Sequence, residues 1–220
     1  MEGKNKKYNN FWKYDRKHIM ANAKDYLESG LKLHGHKCPA MPLGLRVGAA
    51  AMNKLGVERT GDSALLALVD LGKNHCATCL ADGIQVITGC TFGKGNIKKT
   101  NKGKWGLTLI DKKGKKAVRV VPKAEAMAKN KQSSFFQDYR IKGVPPTKVP
   151  AEAVDPLVEA VMNAPEEQLL KISEVFDHDY VEPAHSFDSF ICESCDEMTV
   201  LQYGRISKDG KKICQDCAGY

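Results

Sequence analysis

Four cysteines near the end of the chain restrict its local fold more than any other feature. They stand as Cys192-x-x-Cys195 and Cys214-x-x-Cys217, with 18 residues between the pairs. A segment of about thirty residues cannot bury enough apolar surface to fold unaided, so a metal has to supply the missing stability. Four thiolates fill a tetrahedral shell, which marks a structural zinc with no place for a substrate. A rubredoxin-like iron held by the same thiolates is the alternative. Between the pairs, Thr199–Tyr203 and Arg205–Ser207 read as a hairpin, with a turn at Asp209-Gly-Lys. The spacing predicts a zinc ribbon or treble clef over residues 186–220. A polar, acidic linker at His178–Ser189 joins it to a larger domain over residues 1–185.

That larger domain has the means to build a core, since 42% of the 220 residues are hydrophobic. No apolar run reaches the length of a membrane span. The first ten residues are polar and lysine-rich with no apolar segment behind them, so the expectation is a cytoplasmic protein with no membrane contact. In that compartment eight cysteines point to metal or redox chemistry rather than disulfides. Their spacing agrees, because Cys76-x-x-Cys79 makes a third pair of the same form.

The net charge of +8 is unevenly spread. Residues 94–148 carry 16 basic and 3 acidic side chains, whereas residues 149–220 carry 5 basic and 15 acidic. The basic middle suits an anionic substrate, a nucleic acid, an acidic partner, or the acidic tail of its own or a second chain. The acidity of the ribbon half argues against phosphate contacts there, so nucleic acid is not the expected partner.

Along the chain, Asp15 can cap a helix through Ile19, Ala23 and Leu27 that Gly30 ends. A second helix runs from about Met41 to Leu55, stopped by Gly56, with Gly44, Gly48 and Ala51 as a smooth strip. Such glycines cost roughly 1 kcal/mol each in a helix, so they serve either close packing or room for a ligand. Ser63–Leu71 is apolar throughout, as in a strand buried on both faces. Trp105–Ile110 and Ala117–Val121 form a hairpin, Ala124–Lys131 a short helix and Phe135–Pro150 a loop or arm, whose Phe135, Phe136 and Tyr139 are either local core or contacts to another subunit. Pro150–Met162 is a helix, Pro165 begins another short one, and Leu170–Phe176 is a final strand. The fold class is α+β, a mixed sheet packed with helices.

Two stretches carry the chemistry. In His34-Gly-His-Lys-Cys-Pro39, two imidazoles and a thiol fall within five residues. These are the ligands of zinc, iron or copper, and also an acid/base and nucleophile set. Pro39 suits a helix start, which puts Cys38 where N–H groups favour a thiolate. The second stretch runs from His75 to Thr91. As a helix it presents Leu80, Ile84 and Ile87 to the core and Cys79, Asp82 and Val86 on another side. Gly89–Asn96 is glycine-rich, but Thr88 and Gly95 stand where a phosphate loop needs Gly and Ser or Thr. A turn that carries Cys90 and Thr91 toward the other cysteines is the simpler reading.

These motifs together resemble the E-type chain of formylmethanofuran dehydrogenase and its stand-alone relatives. The resemblance rests on His34–Pro39 with Gly44-Leu-Arg46, on Cys79-Leu-Ala-Asp-Gly-Ile-Gln85, on Thr88–Asn96, and on the terminal cysteines. It spans roughly residues 20–220. It implies an α+β core with a metal site, a C-terminal zinc module and a homodimer, and it singles out Cys79 and Asp82 of the second stretch. Cys76 departs from that pattern.

Three functions follow. The first is a core metal site holding Zn2+ or Fe through His36, Cys38 and Cys79. Asp82 is grouped with these three as a catalytic candidate, and His34, His75, Cys76, Thr88 and Cys90 are further candidates. The second is thiol–disulfide redox chemistry at Cys76 and Cys79. The third is a non-enzymatic accessory that docks onto oxidoreductase subunits through its zinc module or delivers metal or a molybdenum cofactor, with nucleic-acid binding by that module as a further alternative. The resemblance implies an accessory or catalytic role in one-carbon or molybdenum-enzyme redox metabolism.

Overall fold

The computed structural model describes residues 20–73, 78–184 and 186–220, which form two compact units, one running to Tyr180 and one from Val181. The first unit contains α1 (Leu27–His34), α2 (Ala40–Leu55), β1 (Leu65–Val69), α3 (Cys79–Thr88), β2 (Ile97–Lys99), β3 (Leu107–Asp111) and β4 (Lys116–Pro122). After these come α4 (Ala124–Lys131), α5 (Ala151–Asn163), α6 (Glu166–Leu169), β5 (Leu170–Ile172) and β6 (Phe176–Asp177).

The sheet runs β2-β1-β3-β4-β5, with β6 also on β4. Among the described residues only the β1–β2 pair is parallel, so the sheet is mixed. The apolar run of β1 lies inside it, with Leu65, Leu66, Ala67 and Val69 all buried. On one face Leu107, Leu109, Val118 and Val120 join α2 and α3 in the main core. On the other, Leu66, Ile110 and Ala117 make a smaller cluster against Leu68 and Tyr180.

The α2–α3 contact settles the glycine strip. A Cβ on Gly44 would lie 2.1 Å from the Leu80 carbonyl oxygen, and one on Gly83 would lie 2.1 Å from that of Met41. The two backbones touch, so these glycines serve packing. Arg46 of α2 donates to the carbonyls of Val161, Met162 and Ala164. It thereby satisfies the free end of α5.

Several local expectations change. Gly30 does not end α1: it is buried inside the helix, where a Cβ would meet Met41 Sδ at 2.7 Å. The helix stops at Gly35, whose φ of 79° needs glycine. The expected start at Asp15 and Ile19 lies outside the described residues. Phe135–Pro150 is not a plain loop, since Phe135–Arg140 forms a π-helical turn; of the two alternatives for Phe135, it takes local core, buried with the main cluster. Leu170–Phe176 splits into β5 and β6. The Arg119 N–H bonds the Ser173 hydroxyl rather than a carbonyl, which interrupts the ladder between them.

In the second unit β7 (Ser189–Ile191) pairs with β8 (Met198–Val200), and β9 (Arg205–Ile206) with β10 (Lys212–Ile213). The expected hairpin is therefore replaced. Met198–Val200 pairs back onto Ser189–Ile191 around the first cysteine pair, and Leu201–Tyr203 is a 3-10 turn. No helix among the described residues is long and apolar enough to cross a membrane.

Candidate metal centres

Three elements meet at the core site. His34 is the last residue of α1, Cys38 directly precedes the cap of α2, and Cys79 opens α3. The left-handed turn at Gly35 folds the chain back so that His34, His36 and Cys38 converge, and the glycine contact between α2 and α3 brings Cys79 to them. Ligand atoms of His34, His36, Cys38 and Cys79 all lie within 4.8 Å of one another.

The two Nε2 atoms of His34 and His36 are 3.1 Å apart. Cys38 Sγ is 3.5 Å from His34 Nε2. Ordinary zinc bond lengths in a tetrahedron separate two imidazole nitrogens by about 3.3 Å and nitrogen from sulfur by about 3.6 Å. The spacings among His34, His36 and Cys38 therefore suit a transition metal, and Cys79 lies close enough to be a fourth ligand. Asp82 Oδ2 accepts from His34 Nδ1 at 2.7 Å, which points Nε2 at the other ligand atoms. Gln85 donates to Asp82 at 3.2 Å and accepts from the Phe92 N–H at 2.9 Å, which locks the carboxylate. This is the carboxylate–histidine arrangement that orients metal-bound imidazoles.

The protonation pattern follows from the contacts. The Asp82 hydrogen bond and Cys38 push His34 up to about 9. The Cys79 thiol holds Cys38 well below the usual thiol range against the cost of burial, with help from His34 and the Met41 N–H at the start of α2. Cys79 moves the other way, because Cys38 beside it already carries the negative charge.

His34, which the sequence places only among the further candidates, thus sits in the centre itself. Asp82 supports His34 and lies outside the four converging atoms. Gln85 is a residue that sequence reasoning misses; its place three residues after Asp82, on the same helix, is the available signal. Thr88 and Cys90 do not join the site. Thr88 Oγ1 bonds the Ile84 carbonyl at 2.6 Å and receives the Cys90 N–H. Cys90 is wholly buried in the apolar core. Its turn is held by Asn96, which bonds the Thr91 N–H and the Leu65 carbonyl and leaves Cys90 facing inward. His75 and Cys76 lie outside the described residues.

In the second unit Cys192, Cys195, Cys214 and Cys217 also bring their sulfurs within 4.8 Å of one another. Cys195 and Cys214 are 3.9 Å apart, close to the roughly 3.8 Å edge of a zinc tetrathiolate. Burial alone would push Cys192 up, yet the N–H groups of Cys214, Ser194 and Cys195 hold it at about 6. Asp196, at φ 61°, and Gly219, at φ 81°, bend the chain just after each pair.

His36, Cys38 and Cys79 open onto a cleft of about 1050 Å³. Its wall includes Trp105, Phe135 and Phe136 as well as Arg119 and Lys171.

Three comparisons bear on these observations. The family model described as FmdE, Molybdenum formylmethanofuran dehydrogenase operon, matches residues 33–171. A probable S-adenosyl-L-methionine-binding protein of Archaeoglobus fulgidus is 32% identical over 201 residues, which are 86% of this chain and 51% of that protein. The chain thus spans about half the length of this curated relative. The crystal structure of a tungsten formylmethanofuran dehydrogenase FmdE-like protein from Syntrophus aciditrophicus shares the fold. Its TM-score is 0.60 at 22% identity, over 91% of this chain and 97% of that one.

Proposed function

The chain belongs to the FmdE family, and from that premise we propose that it is a two-centre metalloprotein. The core centre holds one Zn2+ or Fe through His34, His36, Cys38 and Cys79, and a structural zinc sits in the C-terminal four-cysteine module of residues 186–220. The observation that carries this reading is the convergence of four ligand atoms from three elements, with the Asp82 carboxylate set behind His34. A metal there would act as a Lewis acid or hold a ligand at the mouth of the cleft. Three of its four holders face that cleft, which a purely structural site does not require. In this reading the chain serves one-carbon or molybdenum-enzyme redox metabolism, catalytically or as an accessory to oxidoreductase subunits, and forms a homodimer.

Metal analysis of anaerobically purified full-length chain tests the proposal. The expected result is two metals per chain. His36→Ala with Cys38→Ser should leave one, and Cys214→Ser with Cys217→Ser should remove the other. Unchanged core metal in the His36/Cys38 variant would overturn the core assignment.

A thiol-redox reading has one specific observation in its favour, and it moves the pair from Cys76–Cys79 to Cys38–Cys79. The Cys38 and Cys79 sulfurs lie within 4.8 Å of each other, and Cys79 beside it holds Cys38 well below the usual thiol range. Two-electron oxidation by an added disulfide would join these sulfurs, reduce the reagent to two thiols and release the metal. A Cys38–Cys79 peptide cross-link that a thiol reductant reverses would support it; oxidant-resistant metal content would end it.

A further inference from the structure

Five cationic side chains line the cleft beside the core centre: Lys104, Arg119, Lys131, Arg140 and Lys171. No Asp or Glu among the described residues lines it, in a chain with 26 of them. Much of the rest of the wall is apolar or aromatic, with Val121, Pro122 and Met127 beside Trp105 and the edge-to-face pair Phe135 and Phe136. Cations set among apolar groups are not the pattern of a solvated charged face. They give one side of the cleft a positive field in a wall of low polarity.

Arg119 is fixed there by a buried acid. Asp70, 1% exposed, follows β1. Its Oδ2 pairs with Arg119 Nη1, and its Oδ1 accepts from Thr100 at 2.7 Å. Gly106 makes room, since a Cβ there would lie 2.6 Å from Arg119 Nη2 and 2.8 Å from Asp70 Oδ2. A guanidinium has five donors, so this anchoring leaves others for a ligand. Strand register adds to it. Arg119 and Val121 alternate with the core residues Val118 and Val120, and Lys171 lies directly opposite Val121. Lys104, Lys131 and Lys171 have no carboxylate partner among the described residues.

We propose that this cleft binds an organic anion, a molecule with an aromatic or apolar body and a carboxylate, sulfonate or phosphate group. Arg119 and the free lysines hold the anionic group, Trp105, Phe135 and Phe136 hold the body, and the other end reaches the metal centre. The volume exceeds what a one-carbon anion needs and matches a cofactor-sized ligand. The link to the metal rests on the function proposed above; the charge selectivity does not.

The test is calorimetric titration of metal-loaded full-length chain with three probes sharing one body: naphthalene-2-sulfonate, 2-naphthylmethanol and 2-naphthylmethylammonium. The sulfonate should bind once per chain, about tenfold or more tighter than the alcohol, with the ammonium weakest. Lys131→Met with Lys171→Met, both at exposed positions, should lower sulfonate affinity about tenfold and leave the alcohol unchanged. Equal binding of the three probes, or an unchanged sulfonate affinity in the folded double variant, overturns the proposal. Cys38→Ser separates it from the metal reading. Loss of core metal with sulfonate preference retained sustains the anion site alone, whereas normal metal content without charge preference sinks only the anion site.

Discussion

His34 Nδ1 donates to Asp82 Oδ2 at 2.7 Å across 48 residues of chain. The bond keeps a proton on Nδ1 and turns Nε2 toward His36 and Cys38. It also ties the end of α1 to the first turn of α3.

Asp82→Asn should therefore weaken core metal binding by about 10–100-fold without unfolding the chain. Chelator competition measures the first effect and far-UV circular dichroism the second. An unchanged chelator profile would mean that His34 needs no carboxylate behind it.

Cys90→Ala gives the opposite pattern. Cys90 is fully buried, and burial pushes its thiol up. Core metal content should stay the same, while stability falls by about 1 kcal/mol for the lost sulfur packing. In the native chain Cys90 should resist alkylation, which peptide mass mapping reads. Rapid labelling of Cys90 under native conditions would contradict its placement.

Gly83→Ala should destabilise the first unit even though alanine is the better helix former. The propensity gain is about 1 kcal/mol. A Cβ placed 2.1 Å from the Met41 carbonyl and 2.6 Å from the Leu45 nitrogen forces α2 and α3 apart, at a cost of up to about 3 kcal/mol. The net loss is roughly 2 kcal/mol by denaturant titration, and core metal is retained less well because Cys79 moves with α3. A more stable variant would show that the helices separate freely.

The buried carboxylate of Asp70 makes stability fall in acid. Burial alone would raise its pKa, but Thr100, Arg119 and Lys102 outweigh that and hold it below the usual carboxylate value. A depressed folded pKa gives stabilisation that is present above the unfolded value near 3.9 and lost as pH falls through the lower folded value. Asp70→Asn should cost on the order of 2 kcal/mol at neutral pH, because Arg119 loses its buried partner. The gap between variant and parent should narrow below about pH 4. A constant gap across that range would show that Asp70 titrates alike in both states.

How much of the fold and the core centre is legible in the sequence depends on the range of the interaction. The ends of α2, the burial of β1 and the role of Leu80, Ile84 and Ile87 follow from periodicity and caps, which act within a few residues. The end of α1 does not. Gly30 looks like a stop signal until Met41 fills the space beside it, and the real stop at Gly35 serves the reversal that brings His34 over Cys38. The ribbon strands follow the same rule, since pairing partners across Cys192–Cys195 are chosen by the cysteine turn rather than by the residues of each strand.

By itself, the sequence determined the chemistry available to this protein: two His/Cys stretches, a four-cysteine module, and a basic middle beside an acidic end. Those follow from residue type and spacing, which need no fold to be read. The tertiary structure alone decided who meets whom. It placed His34 in the core centre, put Asp82 behind it, withdrew Cys90 into the apolar core, and assembled Arg119, Lys171 and the aromatics around one cleft. Each of these contacts joins residues far apart in the chain, so it exists only after α2, α3 and the sheet have packed.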